Sequence, residues 1–452
     1  MDRTTAYLPI LVGFFAVCPP ATSGQALRDT VWQDRQAASA VPPRDGPPII
    51  AFGIGATDLP DVRYAAAVSG AGTATSGGRL FGPTLTLDYS RPLGPAGAPR
   101  PLRVTYSGAL STAGRSESSL ERLGGGGLFG LTAGSAPRGR IDLATSANAV
   151  AATASGTAVV NGGGSITSLA YSPAGTGAAI SQYAVSGMGG SRAFLALTTD
   201  GDARSAAGYA AIIDATGYTF LAAGDTTGTV VTDSVRDSFR AQSHAFRFST
   251  DLDAGGGWTL SPGVGPMYRA TRRSVERTTT IDIAETMPGA GIPALSFGQR
   301  GEIDTRYLGL IAGVGLSRDL PGDWSLLMDA ELGLARYRGE LTARSWATVG
   351  GSPNIHVVER PSAVSGLTQQ GTLSLSISRP MARGVVSLGV YANYISDVPT
   401  FDYQSGGAPA VTAPYGAGSA SFVGAGQSQM APSLGTDGAS SYGVNLSFNR
   451  SF

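Results

Sequence analysis

The sequence predicts an all-β chain, a transmembrane antiparallel up-and-down β-barrel of 10–14 strands with twelve as the working number. Three observations predict it. The C-terminal stretch alternates strictly, with Tyr442, Val444, Leu446, Phe448 and Phe452 on one parity and Gly443, Asn445, Ser447, Asn449 and Ser451 on the other. That is the period of a strand with one apolar and one polar face. The links between such strands alternate between short and long. Outward aromatics recur ten residues apart, as in Trp258 to Tyr268 and Tyr442 to Phe452, which is about 25 Å of height for a strand tilted by roughly 40–45°. An apolar strand that ends on an aromatic suits a closed barrel facing lipid outside and water inside.

With this ending the chain resembles the outer-membrane β-barrel proteins of Gram-negative bacteria. In that class the last strand ends in Phe and is read by the barrel-assembly machinery, here through Tyr442–Phe452. The resemblance implies short periplasmic turns, long extracellular loops, and contact with outer-membrane lipid and lipopolysaccharide.

Composition narrows the function. The chain has 452 residues with 32 basic and 32 acidic side chains, so no global positive charge supports nucleic-acid binding. Every basic residue is Arg. Without Lys there is no P-loop, Schiff-base or Ser-x-x-Lys chemistry. The apolar core Tyr7 to Cys18, followed by small residues, reads as a signal peptide over 1–26, cleaved after Ala26 with Gly24 as the alternative. Loss of Cys18 would leave no cysteine, which removes disulfide, thiol and zinc-thiolate chemistry. No other apolar run is long enough for a transmembrane helix.

In chain order, 27–48 is a Pro-rich periplasmic linker or lumenal segment, and 49–452 forms the barrel. Ile49–Gly55 and Val62–Gly70 compete as first strand. Hairpins then follow at 83–107, 244–270, 307–337 and 373–394, each alternating apolar with polar residues. Their turns are short, while the links 111–240, 271–302, 341–365 and 396–438 are long. One initial strand, four hairpins and the last strand make ten, which places both termini in the periplasm. The stretch 111–205 stands apart as a large extracellular or lumenal insertion. Phe194–Thr198, Tyr209–Ile213 and Tyr218–Leu221 read as further strands of the barrel or as a head. The tight Asp214–Gly217 turn favours one extra hairpin, hence twelve.

The lumen-facing parity carries Asp88, Arg103, Arg247, Asp251, Arg269, Asp329, Glu331, Tyr391 and Asn393. The outer girdles carry Tyr89, Tyr106, Trp258, Tyr268, Trp324, Tyr394, Tyr442 and Phe452. Both charge signs in so narrow an interior pair across it, against a wide general porin. His244 follows Ser243 near a membrane edge, the place an outer-membrane hydrolase would use, but no second motif accompanies it; His356 falls in a long loop. Asp251-Leu-Asp-Ala-Gly255 opens like a calcium loop, yet the twelfth position is Pro262. No catalytic residue, cofactor or metal site is therefore assigned. Three functions remain: a narrow channel or transporter for small solutes, a closed structural barrel acting through its surface loops, and an autotransporter with 27 to about 190 as passenger.

Overall fold

The computed structural model describes residues 49–63, 67–68, 75–93, 102–122, 129–134, 138–160, 162–183, 187, 190–201, 205–214, 217–283, 291–350, 356–381, 384–402, 419–424 and 433–449. The signal-peptide and linker readings over 1–48, and Phe452, lie outside them. The described chain is all-β, and ten long strands hydrogen-bond into one closed ring. They are β1 (Ile49–Arg63), β2 (Thr75–Leu93), β3 (Leu102–Arg122), β4 (Val230–Thr250), β5 (Trp258–Asp282), β6 (Leu295–Leu320), β7 (Trp324–Val349), β8 (His356–Met381), β9 (Gly384–Asp402) and β10 (Ser433–Asn449). Each pairs antiparallel with the next, and β10 closes on β1 through Ala51↔Ser447 to Asp58↔Ser440. Of the two candidate first strands, β1 contains the whole of Ile49–Gly55.

The register fixes the ring's dimensions. From Val264 it runs through Ala312, Leu332, Gly371, Tyr394 and Ser440 to Asp58 on β1. In the other direction it runs through Phe248 and Val104 to Arg91, three residues past Asp88, the partner of Ile49; Ile49 lies nine residues before Asp58, so the two routes differ by about twelve residues. A stagger of about twelve over ten strands tilts them by about 40° and sets a backbone radius of ~10 Å. Each residue then climbs about 2.5 Å along the axis.

Two bands of opposite pattern stack along this axis. Near the end with the short turns, the outward face is apolar: Phe52 and Ile54 on β1, Phe246 and Phe248 on β4, Leu308 and Leu310 on β6, Leu332 and Leu334 on β7, Leu388 and Val390 on β9 and Val444 and Leu446 on β10 are all exposed. The inward face there is polar, with Thr84, Thr86, Ser374, Ser376, Asn445 and Ser447 buried. Farther along the same strands the parity of the apolar residues reverses. Val231 and Phe239 on β4, Val275 and Ile281 on β5, Ile303 on β6 and Leu341 on β7 are buried inward, while Arg240, Arg272, Arg306 and Arg338 point out. The ladder runs through the reversal unbroken. The expected loops 271–302 and 341–365 are therefore mostly strand, because a change of surroundings flips which face is apolar without ending the backbone pairing.

The far end of the ring carries a two-layered head. One layer is a six-stranded sheet in the order Ala67–Val68, Phe129–Gly134, Gly217–Gly224, Ala206–Ile213, Arg192–Thr199, Ala178–Tyr183. The other has four strands, Ser419–Gly424, Gly139–Ala147, Ala151–Val160 and Ser165–Pro173. Ile141, Leu143, Leu195, Leu197, Ile212 and Leu221 fill the space between the layers. The opposite face of the larger sheet, with Phe194, Tyr209, Tyr218 and Phe220, packs onto inward residues at the ring's far end, Val231, Ile281, Leu295, Phe297 and Val349. Tyr218 stacks on Phe297 at 4.1 Å between centroids.

This placement corrects the strand count and the insertion. The segments around 194–198, 209–213 and 218–221 do not enter the ring, which has ten strands rather than twelve. They are buried on both faces, so they read as continuous apolar runs without the wet face a ring strand needs. The insertion begins after Arg122 rather than at 111, because β3 stays paired with β4 up to Arg122↔Val230. It continues past 205 to the strand Gly217–Gly224.

Candidate functional site

The interior of the ring is built in layers. Nearest the short turns, Arg103 lies 3.6 Å from Asp251, and Asp251 accepts a 2.6 Å bond from Ser261 Oγ. One level up, Arg247 donates to both oxygens of Asp329 at 2.7 and 2.8 Å and to Glu331 at 3.4 Å. Its other nitrogen donates to the Ser261 carbonyl at 2.9 Å, so Ser261 joins the two levels. Five of the nine inward residues expected from the sequence thus meet in one network across β3 to β7. Asp88 is buried on β2. On β9, Tyr391 and Asn393 are buried, and Asn393 donates to Ser441 at 3.3 Å.

Above these charges an apolar septum crosses the ring. Leu59, Phe239, Met267, Ile311, Ile395 and Val398 meet there, with Tyr307 and Tyr337 at 6.0 Å between centroids. Arg269 sits at this level beside Tyr307, Thr271 and Asn393, around a cavity of about 20 Å³, room for roughly one water. Above it come two pairs that sequence reasoning missed. Arg273 grips Asp237 at 2.7 and 3.3 Å and donates to the Pro60 carbonyl at 2.6 Å. Arg277 grips Asp233 at 2.7 and 2.8 Å. Both share the parity of Arg269, so continuing β5 beyond residue 270 would have found them. Val62, Val275, Ile303, Leu341 and Phe401 fill the layer between the pairs, and the head's sheet covers the top.

Among the described residues the wall opens between β1 and β10. β1 and β10 pair as far as Asp58↔Ser440, after which β1 is next held by Thr400 Oγ1 donating to the Asp61 carbonyl at 3.1 Å. A groove of about 560 Å³ opens there between Asp58–Asp61 and Gly435–Ser440, with Tyr394 at its edge. Leu59, Ala439 and Ser440 line both this groove and the small interior cavity.

On the outer surface, Trp258 and Trp324 fall at one level, each with a guanidinium over its ring, Arg318 and Arg379, at 5.3 Å. His244, Tyr268, Tyr394 and Tyr442 fall within about 5 Å of a second level, about 25 Å higher. Arg79 lies over Tyr442 at 5.2 Å. Tyr89 and Tyr106 do not belong to either level. They pair with each other roughly midway between the two, because the stagger lowers β2 and β3 relative to their neighbours. The Tyr106 hydroxyl still reaches His244 Nδ1 at 2.8 Å, and His244 stacks against Tyr268.

That arrangement bears on His244 as a catalytic base. Ser243 is buried on the inward face while His244 points outward, so the neighbouring hydroxyl and imidazole lie on opposite sides of the wall. His356 is the first residue of β8, paired with Ala347, rather than part of a loop. Among the described residues no group of three metal-ligating side chains comes together. In the head, burial pushes the Tyr209 hydroxyl above its ordinary value, and it shares a 3.1 Å hydrogen bond with Thr229. The chain matches no known protein-family model and no curated protein.

Proposed function

We propose that the protein is an integral outer-membrane β-barrel whose interior is stoppered and whose rigid β-sandwich head is displayed at the cell surface as its working part. The reversal of apolar parity along unbroken strands supports membrane residence. A water-soluble domain rarely exposes a continuous apolar belt, since each large side chain left in water forgoes roughly 1.5–3 kcal/mol. The belt is about 25 Å tall and edged by aromatics, the height of a lipid-facing band. Both ends of the ring-forming chain, Ile49 and Asn449, then lie on the periplasmic side and the head outside.

The observation that carries the stoppered reading is the filled interior: two ionic layers, the Tyr307–Tyr337 septum, two more buried ion pairs and the head's sheet lie in series. Conductance of the purified protein in planar bilayers tests it. No reproducible steps are expected, and steady channel steps would overturn it.

The second reading is a narrow transporter of small solutes, favoured by the polar interior below the septum. Among the described residues the side-chain polar atoms of Asn445, the Tyr391 hydroxyl and the Ser376 and Ser387 hydroxyls there have no protein partner. A polar solute could satisfy them, but its passage needs the septum to move. The autotransporter division is not supported, because β1 to β3 lie within the stretch it gives to a passenger.

A further inference from the structure

We infer that the outward face of β4 to β7, just beyond the apolar belt, is a binding site for a lipid carrying more than one phosphate. The inference rests on the membrane reading above. Five arginines, Arg240, Arg272, Arg306, Arg336 and Arg338, fall within about 5 Å of one height, roughly 5–10 Å beyond the level of Tyr268 and Tyr394. Arg240 is in direct register with Arg272, and Arg306 with Arg338. Like charges directly opposite on one face of a sheet repel and destabilise the pairing, so a collar built from two such pairs suits an anionic partner.

The nearest carboxylates neutralise only part of the collar. Asp304, Glu340 and Glu302 all stand farther from the belt. They engage Arg272, with Glu302 in close contact and Asp304 at 3.8 Å, and Arg338, with Glu340 at 3.0 Å. Arg240, Arg306 and Arg336 are exposed and form no ion pair among the described residues. Directly beneath the collar on the same face lie Leu308, Leu310, Leu332 and Leu334, each more than half exposed.

Leucines below and arginines above match the two ends of a phosphorylated amphiphile. Acyl chains would lie along the leucines, and the forked guanidinium groups would take phosphate oxygens two at a time. Arg240, Arg306 and Arg336, three cations without an ion pair among the described residues and within a few ångströms of one level, exceed the charge of a single phosphodiester, which selects a head group with several phosphates.

The test uses the full chain inserted in phosphatidylcholine vesicles doped with either diphosphorylated lipid A or phosphatidylglycerol at matched total charge. Heat-modifiable gel migration reports insertion separately. After detergent extraction, the wild type is expected to retain at least tenfold more lipid A than phosphatidylglycerol. Arg306→Gln/Arg336→Gln/Arg338→Gln should lose that excess, while Arg138→Gln/Arg140→Gln/Arg192→Gln in the head should keep it. Replacing the same three wall arginines with Lys keeps the charge but not the fork, and should lie between. Equal retention of both lipids, or no loss in the wall variant of an inserted protein, would overturn the site. Failure of the wild type to insert at all would instead sink the membrane reading.

Discussion

Several side chains inside the ring fit only because a glycine faces them. A Cβ on Gly443 would lie 2.0 Å from the Tyr391 hydroxyl, and one on Gly301 would lie 2.3 Å from the Phe401 ring. The aromatic ring occupies the space that a cross-strand side chain would otherwise take. Gly443→Ala is expected to destabilise the folded state by about 1–3 kcal/mol, read from urea unfolding in vesicles. Tyr391→Ala in the same chain should return part of that loss, and its failure to do so would count against the contact. Arg247 makes a different kind of demand, since it bridges two carboxylates in a confined interior. Arg247→Ala strands Asp329 and Glu331 together and should cost roughly 3–5 kcal/mol. Replacing all three with apolar residues should cost less than the single change, because no charge is then left without its partner.

At the scale of the strand, the parity reversal is the feature that sequence reading used least well. Alternation in 244–270 and 307–337 was legible because outward leucines and aromatics oppose inward polar residues there. Beyond Tyr268 and Leu308 the apolar residues move to the other parity, so a search for one apolar face takes the reversal for the end of a strand. The boundary is testable by moving a charge across it. Leu388→Arg, outward and near the middle of the belt, should cost roughly 2–4 kcal/mol in a bilayer. Thr342→Arg, outward but beyond the boundary, should stay within about 0.5 kcal/mol. Equal penalties at the two positions would remove the boundary. The same reversal hides Arg273 and Arg277 from a search for one apolar face, while Arg269, four residues nearer the belt than Arg273, is legible.

For the whole molecule, ring and head form one continuous packing through Tyr218, Phe297 and their neighbours, so the head is held to the ring's far end by apolar contact rather than by a tether. The orientation this implies can be read with cysteines, since the chain's single cysteine is Cys18. A cysteine at Val150 or Val423, exposed positions of the head at 72% and 70%, should react with a membrane-impermeant maleimide on intact cells. One at Gly256, in the turn between β4 and β5, should react only after the outer membrane is opened. Labelling of Gly256→Cys on intact cells would invert the topology.

What the sequence determined by itself was the class of strand. Period-two alternation with an apolar outward face, ended by short turns, names the antiparallel ladder, its inward polar set and an even number of passes, because each is a local property of ten or so residues. Only the tertiary structure decided the number ten, the place of the head and the layers that fill the interior. The runs at 194–198, 209–213 and 218–221 carry no face preference of their own, and burial between two other layers settles where they go. The septum joins Leu59, Phe239, Tyr307 and Val398 from four strands, and the arginine collar joins four strands at one height. Both depend on the stagger of the whole ring, which no single strand contains.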